Sequence, residues 1–580
     1  MERLLELLIR NSLIDKDKLN LFIRKYGEER ITIENLIKVK ILDPITLEEF
    51  LVKELRMQTI EMEELESIQG IDTTHLLKLI AKSLNIDYVE LSEIDIDYKL
   101  VKRLPIKQLV RYNALPLYVD DMTATVTVAF ADPSNFEAKG AIERFFHGKI
   151  MEVVIAKAQM IKRELLKLKT AEDVEMFSQD IKHDLTDGAI DTQDSNDSPA
   201  VLKLIETVVK TAINAKASDI HIEATETHTM IRYRIDGMLQ AYFKLEKVIF
   251  GPLASRTKLL SGLDIAEKRK PQDGRFTQIV NGNVYDFRVS TLPTIFGESI
   301  VLRVLDKSKA LVKLEDAGMN PQAFEQFKKG IKAPYGIVLV TGPTGSGKTT
   351  TLYGALNAII DVKDKIITVE DPVEYQMAGI QQVQVSPHTG LSFATALRSI
   401  LRQDPDKIMI GEIRDHETLR IAIEAALTGH LVLSTLHTND AISAINRMQD
   451  MGIEDYLLGS AVVAIQGQRL VRKICTSCKE EEHVNLSGLK EIAKFIPPNA
   501  KFYKGKGCSV CNHSGYVGRE MICEVLLISE TMSTLIASAA SKESLRIQAD
   551  KEGFKTMLED GINKALKGIT SLEEVLRVAR

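Results

Sequence analysis

The sequence predicts a multidomain α/β protein with a nucleotide-binding parallel sheet. Three observations carry this expectation. At 580 residues the chain is too long for one compact core, so several domains are expected. From about residue 311 apolar strand and helix patterns alternate, as in a parallel sheet covered by helices. Within that stretch GPTGSGKT, residues 342–349, follows the apolar run GIVLVT and opens a helical pattern, TTLYGALNAII.

Residues 1–60 form a helical repeat module. LIRNSLIDKDKLNLFI (8–23) aligns with LIKVKILDPITLEEFL (36–51), pairing Asp15 with Asp43, Leu19 with Leu47 and Phe22 with Phe50. Apolar residues at helical spacing after an aspartate predict two short helix pairs. Residues 61–170 read as a mixed α/β domain. ATVTVAFADPSN alternates like a strand, and KAQMIKRELLKLK reads as a closing helix. Residues 171–198 hold nine acids against one lysine. Like charges and few large apolar residues predict a flexible linker there. Residues 199–308 open with the helical AVLKLIETVVKTAINAKA and continue with the strands DIHIEA, MIRYRID, VYDFRVS and SIVLRVLD. Asn281-Gly282 is a hairpin turn before the third of these. Residues 309–580 are the α/β domain, with a cysteine segment at about 470–522.

The bulk numbers exclude several classes. A net charge of -6 argues against a general nucleic-acid binder. No run of eighteen apolar residues exists, and the N-terminal MERLLELLIRN carries charges inside its apolar stretch, so neither a membrane span nor a signal peptide is expected. Four of the five cysteines stand in C-x-x-C pairs, which suits a metal in a reducing compartment better than disulfides.

Chemistry concentrates in the α/β domain. Gly342, Pro343, Thr344, Gly345, Ser346 and Gly347 form a complete phosphate loop, and Lys348, Thr349 and Thr350 begin the helix after it. Glycines let backbone N–H groups wrap phosphate, and the helix N-terminus adds positive potential. Lys348 is expected to reach the β- and γ-phosphates of ATP, and Thr349 to ligate Mg²⁺. IITVEDPVEY ends a strand in Glu370, Asp371 and Glu374, and DKIMIGEIRD ends another in Glu412. Strand ends collect functional groups in parallel sheets, so both acidic clusters are expected beside the loop. Gly411 stands where an aspartate usually closes such a strand, leaving Mg²⁺ to Thr349, phosphate oxygens and water.

Two further groups remain. Cys475 and Cys478, with Cys508 and Cys511, suit tetrahedral Zn²⁺, and four sulfurs leave no open position, so the site is expected to be structural. Cys523 reads as a core residue. His430 and His437 flank the apolar LVLSTL; an odd separation along a strand puts them on opposite faces, so they do not chelate one ion.

Residues 198–580 resemble the ATPases of type II secretion and type IV pilus assembly. The likeness rests on ASDIHIE, RYRIDG, the phosphate loop, TVEDPVEY, RQDPDKIMIGEIRD, TGHLVLSTLHTND and QRLVRKIC. The missing aspartate at Gly411 is that family's own pattern. The resemblance implies a PAS-like domain at 199–308 and a RecA-like motor with a zinc insertion at 309–580. It implies a homohexamer that hydrolyses ATP with Mg²⁺. The hexamer would drive an inner-membrane platform protein, with cytoplasmic assembly proteins, to extend a pilus. Export by a type II system is the alternative. The resemblance makes Glu412 the residue that orients or deprotonates water, with Glu370 as the other choice. It makes His430 and His437 phosphate sensors, His437 the nearer. Arg288 and Arg303 become residues that face the γ-phosphate, with Arg398, Arg402 and Arg414 as further arginines. It places the protein in the cytoplasm, at the inner membrane through partners. Finally, residues 4–55 resemble a cyclic di-GMP-binding module. Leu5, Ser12, Asn35 and Lys40 fill positions where glycine is expected, which favours docking of partner proteins over the nucleotide.

Overall fold

The computed structural model describes residues 7–26, 33–56, 73–186, 198–306, 313–484 and 490–579. The chain divides into two compact units, Met1–Asp180 with Cys508–Val510, and Ile181–Gly507 with Cys511–Arg580.

The first unit opens with helices α1 (Lys16–Tyr26), α2 (Ile33–Lys38), α3 (Pro44–Arg56) and α4 (Thr73–Leu84). The sequence repeat is a structural repeat. Leu8 and Leu36, Ile14 and Leu42, Leu19 and Leu47, and Phe22 and Phe50 all enter one buried cluster. Asp15 accepts from the Asp17 N–H at 2.8 Å and Asp43 from the Thr46 N–H at 2.9 Å, so each caps its helix. Ser12 and Lys40 hold matching left-handed backbone, φ 61° and 59°, which glycine adopts at least cost. Leu5 lies outside the described residues, as does the boundary expected at 60.

Next come β1 (Asp87–Tyr88), β2 (Ala114–Asp120), β3 (Thr125–Phe130) and β4 (Ile150–Ile155), in the order β1-β4-β3-β2. Helix α5 (Ala158–Thr186) follows. Here the expectation of a flexible linker from residue 171 is corrected, because the helix runs through the first half of that stretch. Val174 and Ile181, two turns apart, are both buried and give the acidic helix an apolar seam. Residues 187–197, the rest of the expected linker, lie outside the described residues.

The second unit begins with α6 (Pro199–Asn214) and a six-stranded antiparallel sheet. Its strands are β5 (Asp219–Ala224), β6 (His228–Ile235), β7 (Met238–Glu246), β8 (Gln272–Val280), β9 (Asn283–Thr294) and β10 (Gly297–Asp306), in the order β7-β6-β5-β10-β9-β8. Asn281 and Gly282 both have positive φ, 51° and 80°, as a two-residue hairpin turn requires. One cross-strand row runs Arg275, Arg288, Arg303, Asp219, Arg234.

The larger sheet has the order β13-β12-β14-β15-β11-β16-β19. It comprises β11 (Gly336–Thr341), β12 (Ile366–Glu370), β13 (Ile380–Gln384), β14 (Lys407–Ile410), β15 (Leu431–Leu436) and β16 (Val462–Ile474), all parallel, and β19 (Tyr516–Leu527), antiparallel to β16. Ile337 and Leu339 of β11 enter one core cluster and Val338 and Val340 another, so both faces are covered. That burial explains the unbroken apolar runs. Helices α7 (Lys348–Ile359), α8 (Phe393–Ile400), α9 (His416–Leu427) and α10 (Ala441–Asp450) connect these strands. A ladder of β17 (Lys479–Glu482) and β18 (Phe502–Gly505) lies between β16 and β19, and α11 (Met557–Leu566) and α12 (Leu572–Ala579) close the chain.

Two buried carboxylates tie the closing helices down. Glu524 on β19 accepts from the Ala441 N–H at 2.7 Å and from the Met557 N–H at 2.9 Å, capping α10 and α11 together. Burial raises its pKa, against the pull of those two N–H groups. Glu574 on α12 accepts from Arg472 of β16 at 2.9 Å and from Arg577 at 2.6 Å. Burial would raise its pKa, but the arginine hydrogen bonds outweigh it and hold the carboxyl at about 2.

Candidate functional site

The phosphate loop leaves the sheet where β11 ends at Thr341 and α7 begins at Lys348. Gly342 has φ 148°, and a Cβ there would lie 2.4 Å from the Gln468 carbonyl oxygen and 2.6 Å from Ser346 Oγ. Only glycine fits that approach. Thr344 and Gly345 are exposed, Pro343 and Gly347 half-buried, and Ser346 buried. Lys348 Nζ donates to the carbonyl oxygens of Gly342 at 2.9 Å and Pro343 at 3.1 Å, so the ammonium lies against the loop. Burial lowers its pKa, and the charge of Glu412 opposes that shift. Thr349 and Thr350 are exposed in the first turn of α7.

The two acids expected at strand ends differ in what they can do. Glu412 lies just past β14, beside Gly411, and accepts from Arg414. His437 Nε2 stands 3.2 Å from its other oxygen. Glu370 ends β12 but turns inward. It is buried and accepts from Thr368 Oγ1 at 2.6 Å, Gln382 Nε2 at 3.2 Å and Tyr353 Oη. Burial and this carboxylate raise the Tyr353 pKa, so the phenol keeps its proton. A Cβ at Gly411 would come within 3.3 Å of the Glu370 Cα and the Val369 carbonyl oxygen, which favours glycine over aspartate there. Asp371 lies 3.9 Å from Arg414.

The histidines separate completely. β15 pairs with β11 from Gly336–Leu431 to Thr341–Leu436, so His437 leaves the sheet at the edge that carries the phosphate loop. His430 sits at the opposite edge, where its carbonyl accepts from the Gly336 N–H at 3.0 Å. Six residues of strand, about 20 Å, lie between. Its Nδ1–H donates to the Ala425 carbonyl at 2.8 Å, closing the end of α9. The expectation that His430 senses phosphate is therefore corrected. The strand between the two histidines is a spacer across the whole sheet.

The arginines also part ways. Arg288 of β9 reaches the loop after β12, with Nη2 2.8 Å from Glu374 Oε2 and Nη1 3.3 Å from Oε1. Arg303 is largely exposed and bonds Asp219 at 3.2 Å. Arg398 pairs with Glu417, and Arg402 Nη1 donates to the Arg398 carbonyl at 2.9 Å. Among the described residues neither is hydrogen-bonded or ion-paired to the loop or to Glu412. Arg414 does contact Glu412.

The ligand atoms of Cys475, Cys478, Cys508 and Cys511 all lie within 4.8 Å of one another. Cys478 Sγ and Cys511 Sγ are 3.8 Å apart, the edge of a tetrahedron with metal–sulfur bonds of about 2.3 Å. The Gly507 N–H donates to Cys478 Sγ at 3.3 Å and the Gly515 N–H to Cys511 Sγ at 3.2 Å, as suits thiolates. The set could hold zinc. Cys523 is separate and buried, its thiol pushed up to about 12 by burial, and it is a core residue as expected.

Sequence reasoning missed Tyr353, Gln382 and Gln468. The visible signal for Gln468 was a pair of glutamines in the mostly apolar strand VVAIQGQRLV.

A phosphate loop on a parallel strand, with an acid and a histidine at neighbouring strand ends, defines a phosphate-loop nucleotide hydrolase. Residues 194–577 match the family model described as Type II/IV secretion system protein, and residues 84–174 match one described as MshEN domain. The chain belongs to the type II/IV secretion system protein family. It is 47% identical over 391 residues to the type II secretion system protein E of Dickeya dadantii (strain 3937), covering 67% of this chain and 78% of the relative. It is 40% identical over 501 residues to the type IV pilus assembly ATPase PilB of Myxococcus xanthus (strain DK1622), covering 84% and 88%. The ATPase DotB of Yersinia pseudotuberculosis has a similar fold, with TM-score 0.51 at 23% identity over 65% of this chain and 93% of that one. The MshEN match falls on the unit with β1 to β4, not on the helical repeat at 4–55. Among the described residues no helix is long and apolar enough to cross a membrane.

Proposed function

We propose that this chain is a motor ATPase that drives filament assembly, extending a type IV pilus. The observation that carries the reading is the Glu412–His437–Arg414 cluster beside Lys348, in a chain of this family. Residues 199–308 are assigned as a PAS-like domain and 309–580 as a RecA-like motor with a zinc insertion. The working form is a homohexamer in the cytoplasm, held to an inner-membrane platform protein. Hydrolysis needs positioning and charge neutralisation rather than covalent chemistry. The loop N–H groups and Lys348 bind the phosphates. Glu412 orients or deprotonates the attacking water, and Glu370, already saturated by three donors, does not. His437 senses the γ-phosphate through its bond to Glu412. Mg²⁺ would be held by the exposed Thr349 hydroxyl and neutralise phosphate charge when bound. The helical repeat is assigned to docking of assembly proteins rather than to cyclic di-GMP.

The second reading is a type II secretion ATPase, favoured by the Dickeya relative as much as the pilus reading is by the Myxococcus one. A chromosomal Lys348→Ala strain separates them. Loss of surface filaments with protein export intact is the expected result. Loss of export alone supports the second reading, and loss of neither overturns both.

The four cysteines are assigned to one structural Zn²⁺. Purified protein should carry about one zinc per chain. Replacing Cys478 and Cys511 with serine should release it and lower solubility and thermal stability before nucleotide binding suffers. A zinc-free protein, with a double variant that melts like the parent, would sink this assignment.

A further inference from the structure

Strand β16 carries QGQRL, residues 466–470, part of the QRLVRKIC stretch to which no role has been given. Gln466 and Gln468 are fully buried. A buried amide is costly unless its groups are bonded, and Gln468 is bonded three times. Its Nε2–H donates to the Ser346 carbonyl at 2.8 Å. Its Oε1 accepts from Thr351 Oγ1 at 2.9 Å and from Gln466 Nε2 at 2.8 Å. Ser346 lies in the phosphate loop and Thr351 in α7, so one amide joins loop and helix at their junction. Among the described residues the buried Ser346 Oγ has no hydrogen-bond partner, while the Ser346 carbonyl is held by Gln468.

We propose that Gln468 is a positioning residue for nucleotide binding, fixing the phosphate loop through the Ser346 carbonyl. The C=O of one residue and the N–H of the next belong to one planar trans unit and point in opposite directions. Pinning the Ser346 oxygen onto Gln468 therefore turns the Gly347 N–H away from the strand, toward the side a phosphate occupies. Without that hold the peptide is free to rotate, and the loop must be ordered again each time nucleotide binds. The neighbouring Arg469 donates to Asn439 Oδ1 at 3.0 Å, in the loop after His437, so the same short stretch of β16 also contacts the sensing side of the site.

This inference rests on the nucleotide-binding reading above, and the test separates the two. Gln468→Glu keeps the shape and both acceptor contacts, but sets an ionised oxygen against the Ser346 carbonyl. Equilibrium binding of a non-hydrolysable ATP analogue should weaken about tenfold or more near pH 9. Burial raises the pKa of the new carboxyl, and once protonated it can donate to Ser346. The Kd ratio of variant to parent should thus shrink toward one as pH falls to about 6, which simple structural damage would not do. Gln468→Met, which lacks the donor at every pH, should show the loss without the recovery, and it serves if the first variant misfolds. Binding within about twofold of the parent in both variants overturns the proposal, as does a loss in Gln468→Glu that pH does not reverse. If the parent itself binds no nucleotide, the reading of the loop has failed, and this inference with it.

Discussion

Replacing Arg288 with alanine is expected to lower ATP turnover about 10³-fold or more, with nucleotide affinity kept within about tenfold. A guanidinium spreads positive charge over the three γ-phosphoryl oxygens mainly in the transition state, so its loss falls on rate. The antiparallel sheet has an unusual row of charge around this residue. Arg288 stands directly opposite both Arg275 and Arg303, and like charges facing each other across strands repel. Within the row itself Asp219 is the one acid, and Glu374, in the loop after β12, holds Arg288 by two oxygens. Such a row suits a multiply charged anion. Arg303→Ala should act in the same direction. Steady-state hydrolysis beside equilibrium binding decides the matter, and near-normal turnover in both variants would return these arginines to ordinary ion pairs.

Glu412→Gln should lower turnover about 10²–10⁴-fold, the range for losing a general base, without weakening binding. The amide keeps the size of the side chain and its place between Arg414 and His437, but cannot take a proton. Lys348→Ala provides the contrast, since it should damage binding and turnover together. A Glu412→Gln enzyme that hydrolyses ATP at half the parental rate would remove this residue from the mechanism.

Much of the nucleotide site could be read from the chain, because its parts are local. Strand, loop and helix around residues 342–349 depend on neighbours in sequence, and the structure has α7 starting at Lys348. The Asn281-Gly282 turn was legible for the same reason, and so were the two cysteine pairs. What escaped depends on which way a side chain turns once the sheet is packed. Glu370 and Glu412 both end strands, yet one is swallowed by Tyr353, Thr368 and Gln382 while the other stays at the loop. His430 and His437 looked equivalent until strand register put them at opposite edges. Charge misled at residues 171–198, where nine acids hid the buried pair Val174 and Ile181 on the second half of α5. The glutamine pair marked Gln468 as unusual but not what it holds, because Thr351 and Ser346 lie more than a hundred residues away in sequence.

The shared cap at Glu524 has a mechanical meaning. Helix α10 begins four residues after His437, and α11 belongs to the closing part of the chain. Both start on one carboxylate that is sealed from water. Pulling either helix away leaves a desolvated charge half-served, so the pair travels as a single lever. The start of the helix that follows the histidine and the start of a closing helix thus share one anchor point.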